Sequence, residues 1–121
     1  FSKTFVKGLE RIKQNTAGLY FFFADHELLY IGKSTNIRER IISSLRERYS
    51  VRKDLNMVFG FSIPNLADLQ IAEPYLICKL KPTLNRQFNV SDCPVYFKSE
   101  KYDDIIANMQ AIYIFEEDEV D

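Results

Sequence analysis

The chain holds 121 residues, 46% hydrophobic, 14% aromatic and 27% charged, with a formal net charge of −1. That is the profile of a single soluble globular domain with one core. No apolar run reaches the ~20 residues that cross a bilayer, and no charged-then-apolar leader opens the chain, so an intracellular protein is expected.

Phe1 stands where a start Met would be, which suggests a piece of a longer protein with further domains. Residues 1–15 space Phe5, Leu9 and Ile12 among Lys3, Lys7, Arg11 and Lys13. This is an amphipathic segment that packs on the domain or joins it to a neighbour. Next come two apolar and aromatic runs, Gly18-Leu19-Tyr20-Phe21-Phe22-Phe23 and Leu28-Leu29-Tyr30-Ile31-Gly32, around the polar Ala24-Asp25-His26-Glu27. Strands are expected near 17–24 and 27–31, joined by a tight connection. Antiparallel pairing brings Tyr20 and Tyr30 onto neighbouring strands, within reach of one pocket.

A helix is expected over 36–49. Asn36 and Glu39 have the spacing of a capping box, and Ile37, Ile41, Leu45 and Tyr49 form an apolar stripe. Arg40 lies beside that stripe, where its stem rests on the core rim and its head reaches a pocket at the sheet edge. Arg38, Arg40, Arg46, Arg48, Arg52 and Lys53 form a basic stretch. It either tracks phosphates or is a solvated helix face.

A third strand is expected near 56–63, and a helix near 69–80 with Leu66, Leu69, Leu76, Ile77 and Leu80 as its apolar positions. Glu73 falls on that stripe, where a carboxylate is costly unless paired. Pro74 follows it, so the helix begins near Glu73 or kinks there. Pro94 and a Val-Tyr-Phe run suggest an edge strand within 90–98. A last helix is expected over 100–115, from Tyr102, Ile105, Ile106, Met109, Ile112 and Tyr113. Residues 116–121 read as an acidic tail, which leaves 16–115 as the domain proper. Cys78 and Cys93 lack zinc-site spacing, and Cys78 reads as a reduced core thiol.

Gly18-Leu19-Tyr20 and Tyr30-Ile31-Gly32 resemble the two name-giving tripeptides of the GIY-YIG nuclease family. The resemblance extends to Asn85. The family's arginine in the helix after the second tripeptide is matched by Arg40, its glutamate on a later helix by Glu73, and its asparagine after a proline-containing turn by Asn85. It implies an α/β fold, a small three-stranded antiparallel sheet flanked by helices, and a metal-dependent DNA endonuclease.

Phosphodiester hydrolysis needs an activated water, neutralisation of the transition-state charge and help for the leaving oxygen. On the resemblance, Glu73 holds one divalent cation, Mg²⁺ or Mn²⁺. Tyr20 is the general base and Tyr30 its partner, with the two roles exchangeable. Arg40 grips the scissile phosphate through its planar fork. Lys33 and Asn85 are substrate contacts, Asn85 also fixing loop geometry near the site.

Each residue has a plainer reading. The tyrosines would be core packing, Glu73 a salt bridge to an arginine, Lys33 a solvated loop residue and Asn85 a turn residue. Many family members carry His or Tyr one turn past the arginine, where this chain has Ser44. The only histidine, His26, falls in the hairpin turn. DNA, held mainly through its phosphates, is the expected partner, with RNA left open and no membrane partner. The competing reading is a non-catalytic nucleic-acid-binding or docking module that keeps the fold.

Overall fold

The computed structural model describes residues 7–89, Ala107 and the backbone of 110–116. Chain order is β1 (Gly18–Ala24), β2 (Glu27–Ser34), α1 (Ile37–Val51), β3 (Met57–Ser62), α2 (Leu66–Leu80) and β4 (Gln110–Glu116). The strands form one antiparallel sheet in the order β2-β1-β3-β4. Among the described residues no helix is long and apolar enough to cross a membrane.

The expected three-stranded antiparallel sheet is present, and a fourth strand extends it. Residues 110–115, expected to be helical, pair instead with the far edge of β3. The run Ala111-Ile112-Tyr113-Ile114-Phe115 is rich in β-branched and aromatic residues, and an open strand edge offers it a full hydrogen-bonded ladder. Ala107 is helical. The rest of the expected last helix, the edge strand within 90–98 and the tail beyond Glu116 lie outside the described residues.

The β1–β2 turn is Asp25-His26, with Asp25 in the left-handed region at φ 52°. Asn56 braces it: the Asp25 N–H donates to Asn56 Oδ1 at 2.9 Å, and Asn56 Nδ2 donates to Asp25 Oδ1 at 3.0 Å. A short polar side chain tied down in this way tolerates the left-handed conformation. His26 is exposed in the turn.

Strand alternation sorts the sheet's two faces. Tyr20, Phe22 and Ala24 pack under α1 with Ile37, Ile41 and Leu45, whereas Leu19 and Phe21 pack under α2 with Leu69, Ala72 and Leu76. Leu9 and Ile12 are buried in the α1-side core. In β2 the register slips, with Phe22 opposite Tyr30 but Phe23 opposite Leu28. Leu29 is the extra residue of a bulge. It leaves Tyr30 on the α1 face, beside Tyr20 and Phe22.

Three local expectations are corrected. Asn36 sits at the α1 N-cap position but makes no side-chain cap bond. Its Oδ1 accepts from the Asn15 N–H at 3.3 Å and its Nδ2 donates to Gln14 Oε1 at 3.1 Å, so the preceding turn takes the groups that a cap would use. Of the two alternatives for α2, a start near Glu73 is ruled out. The helix starts at Leu66, capped by Asn65 accepting from the Asp68 N–H at 3.1 Å, and runs through Pro74. Cys78 is disulfide-bonded rather than a free thiol.

Two glycines allow close approach. A Cβ at Gly18 would run into the Phe61 backbone carbonyl, and one at Gly32 would run into the Tyr20 ring. Gly18→Ala should cost roughly 1–3 kcal/mol, because a β3 carbonyl cannot swing aside. A lower denaturation midpoint at unchanged slope is the expected reading, and an unchanged midpoint would contradict it. Gly32, paired with Tyr20 across β1 and β2, gives the Tyr20 ring its room.

Candidate active site

β2 is one edge strand of the sheet, and Tyr30, Lys33, Glu73 and Asn85 gather along it. Its outer backbone is covered by the segment after α2, which leaves the helix through Lys81 in the left-handed region at φ 53°. Thr83 N–H donates to Leu28 O at 3.2 Å and Leu84 N–H to Leu29 O at 2.7 Å. Asn85 then clamps Ile31 with its side chain. Ile31 N–H donates to Asn85 Oδ1 and Asn85 Nδ2 donates to Ile31 O, both at 2.9 Å. Asn89 Nδ2 closes the loop onto Pro82 O and Asn85 O at 2.8 and 3.0 Å.

A cavity of about 470 Å³ opens between this loop, α1 and α2. Tyr30, Arg48, Glu73, Asn85 and Arg86 are among its polar lining residues, and Val51, Ile77 and Phe88 among its apolar ones. Tyr30 and Glu73 therefore face one space.

Glu73 comes from the turn of α2 beside β2, and its side chain is only 14% exposed. Lys33 Nζ is 3.8 Å from Glu73 Oε1 and also donates to Gln70 Oε1. The partner expected for a buried carboxylate is thus a lysine, not an arginine. Burial pushes the Glu73 carboxyl above its ordinary value, and Lys33, through its charge and backbone, opposes that rise without cancelling it. Among the described residues no three His, Cys, Asp or Glu side chains cluster to form a metal cage. A single partly buried carboxylate beside a cavity suits one hard cation that keeps most of its waters.

Tyr20 lies behind the cavity wall, 1% exposed, with its ring centroid 6.2 Å from that of Tyr30. Burial raises its phenol above the ordinary value. The Ser44 hydroxyl and Arg40 oppose the rise, and Tyr30 adds to it. Ser44 Oγ is fully buried with no well-formed hydrogen bond among the described residues, so it is a loose neighbour of the phenol. Arg40 is exposed on α1. It acts on Tyr20 and is not among the residues that line the cavity.

The basic stretch divides by role. Arg52 donates to both oxygens of Glu27 at 2.9 Å and to both of Asp54 at 3.0 and 2.9 Å. Arg52, with help from the Thr83 hydroxyl at 2.7 Å, holds the Glu27 carboxyl down at about 2. Arg52 is therefore structural and has little left for phosphates. Arg48 lines the cavity, with its guanidinium carbon 3.9 Å from the Tyr30 ring centroid. Its position was readable in advance: Arg40, Ser44 and Arg48 recur every fourth residue on one helix face.

A solved structure resembles the chain over 72% of its length and 100% of its own, at 21% identity and a TM-score of 0.60. It is the crystal structure of the GIY-YIG N-terminal endonuclease domain of UvrC from Thermotoga maritima, a tyrosine-to-phenylalanine point mutant bound to its catalytic divalent cation. The chain has a GIY-YIG-like fold. No protein-family model and no curated protein matches it. In this GIY-YIG-like domain, Gly18 and Gly32 answer to packing, Asn85 to the shape of β2, and Tyr30 and Glu73 to the cavity.

Proposed function

We propose that the domain is a divalent-metal-dependent DNA endonuclease, with Tyr30 and Glu73 at its reacting centre. The observation that carries this reading is that a phenol and a partly buried carboxylate line the same cavity, in a fold shared with an endonuclease domain. A divalent cation, Mg²⁺ or Mn²⁺, held by Glu73 would neutralise charge on the phosphate in the transition state. Glu73, whose charge is disfavoured by burial, gains from such a cation.

The two tyrosines divide the remaining work. Tyr30, on the cavity wall, would take the proton of the attacking water in its phenolate form, becoming the neutral phenol as the water oxygen attacks phosphorus. Tyr20, buried and pushed up, stays protonated and supports the ring in front of it. This exchanges the first assignment of the pair. Arg40 offers a planar fork to the scissile phosphate from the open end of α1, and Lys33 offers its charge from the α2 face. Asn85 serves substrate indirectly, since its amide is engaged by the Ile31 backbone.

The test is a nicking assay on plasmid and branched DNA with Mg²⁺ or Mn²⁺, with EDTA as the control. Metal-dependent nicking that EDTA abolishes is the expected result. DNA that is bound but never cut, on either substrate, would replace this reading with that of a docking module.

A further inference from the structure

We propose that Arg48 is a second phosphate-binding residue of this cavity, one that receives a phosphate flanking the scissile one while it holds the Tyr30 ring. The contrast with Arg52, one helical turn further on, carries the argument. A guanidinium has five N–H donors. Arg52 spends its donors on four hydrogen bonds to two carboxylates. For Arg48, Nε is buried without a partner among the described residues, and the one ion pair is Nη1 to Glu47 Oε2 at 3.8 Å, on an exposed carboxylate.

The Tyr30 contact does not consume those donors. Stacking uses the face of the guanidinium, whereas the N–H groups lie in its plane and are not taken up by the ring. Among the described residues Arg48 is thus held by a long ion pair and a ring contact, without the carboxylate hydrogen bonds that tie down Arg52, in a cavity that also holds Glu73 and Tyr30. A phosphate is the anion that the planar fork of Arg48 fits best in a nucleic-acid site. Arg48 stands two turns from Arg40, about 12 Å along the helix axis. That separation is too wide for one phosphate to serve both, so the two arginines take different positions on the same strand. Arg86, on the loop across the cavity, adds positive charge to its lining.

The partner chemistry rests on the nuclease reading, but the test does not need turnover. DNA affinity is measured against salt concentration in EDTA, for wild type, Arg48→Met, Arg48→Lys and Arg46→Met. Arg46 is exposed on the same helix and turned away from Arg48, so its variant controls for general loss of charge. Losing one phosphate contact should flatten the log–log salt slope by about 0.9 for duplex DNA. Arg48→Met should show that change equally on unrelated sequences, Arg48→Lys should restore most of the slope, and Arg46→Met should leave it near wild type.

Thermal melting checks that each variant is folded. Turnover gives a separate reading: Arg48→Met should raise KM more than it lowers kcat. A wild-type slope in folded Arg48→Met, or an equal loss in Arg46→Met, would overturn the proposal. So would wild type that binds no DNA. Wild type that binds but never cuts would remove the nuclease reading, and the slopes would still decide for or against Arg48.

Discussion

Glu73→Gln is expected to lower metal-dependent cleavage by roughly 10³-fold, the several kcal/mol that a cation contributes to transition-state charge. The same change should raise the melting temperature at neutral pH. Gln keeps the shape and drops a charge that burial disfavours more than Lys33 compensates. The sign follows from the direction of the shift. A carboxyl whose folded value is raised contributes stability in full below its ordinary value, and loses that contribution as pH climbs through the raised one. Wild type and variant should therefore melt together in acid and separate above the carboxylate range, with the variant higher. Added Mg²⁺ or Mn²⁺ should lift wild type towards the variant, because a ligand bound by the folded state alone stabilises it. Equal cleavage by both proteins would remove Glu73 from metal binding.

That double expectation is partly visible in the amino-acid sequence. Glu73 on an apolar stripe signals a strained carboxylate from spacing alone, and the hairpin carrying Tyr20 and Tyr30 is legible from two aromatic runs around a polar turn. The bulge at Leu29 was not legible. Nothing local marks it, since the slip is settled by which side chains the α1 face can bury. The role of Asn85 was hidden for a related reason. Its two bonds reach Ile31 across 54 residues, and a lone Asn after a turn carries no sign of its distant partner.

β4 failed in another way. The helical spacing that runs from Tyr102 to Tyr113 and the strand propensity of residues 111–115 occupy overlapping sequence, and the open edge of β3 decides between them. Arg48 and Arg52 look alike in sequence. They separate only when Glu27, brought round by the hairpin, engages Arg52, while Arg48 stacks on the Tyr30 ring.

The order of the two tyrosines gives the sharpest remaining test. Tyr30→Phe removes one oxygen from the cavity wall and leaves the ring that stacks under Arg48. The fold should survive, and cleavage should fall by something like the 10²–10⁴-fold expected of a lost general base. Tyr20→Phe removes an oxygen from behind that wall, where the phenol is held protonated by burial. Its Ser44 neighbour makes no well-formed hydrogen bond among the described residues, so little stability is at stake. The rate loss should be that of one neutral supporting contact, about 0.5–1.5 kcal/mol, or up to roughly tenfold. Single-turnover cleavage of both variants at saturating metal separates the roles. A larger loss in Tyr20→Phe than in Tyr30→Phe would return the base to Tyr20, and the buried phenol would then need a route for its proton that Arg40 and Ser44 alone would have to supply.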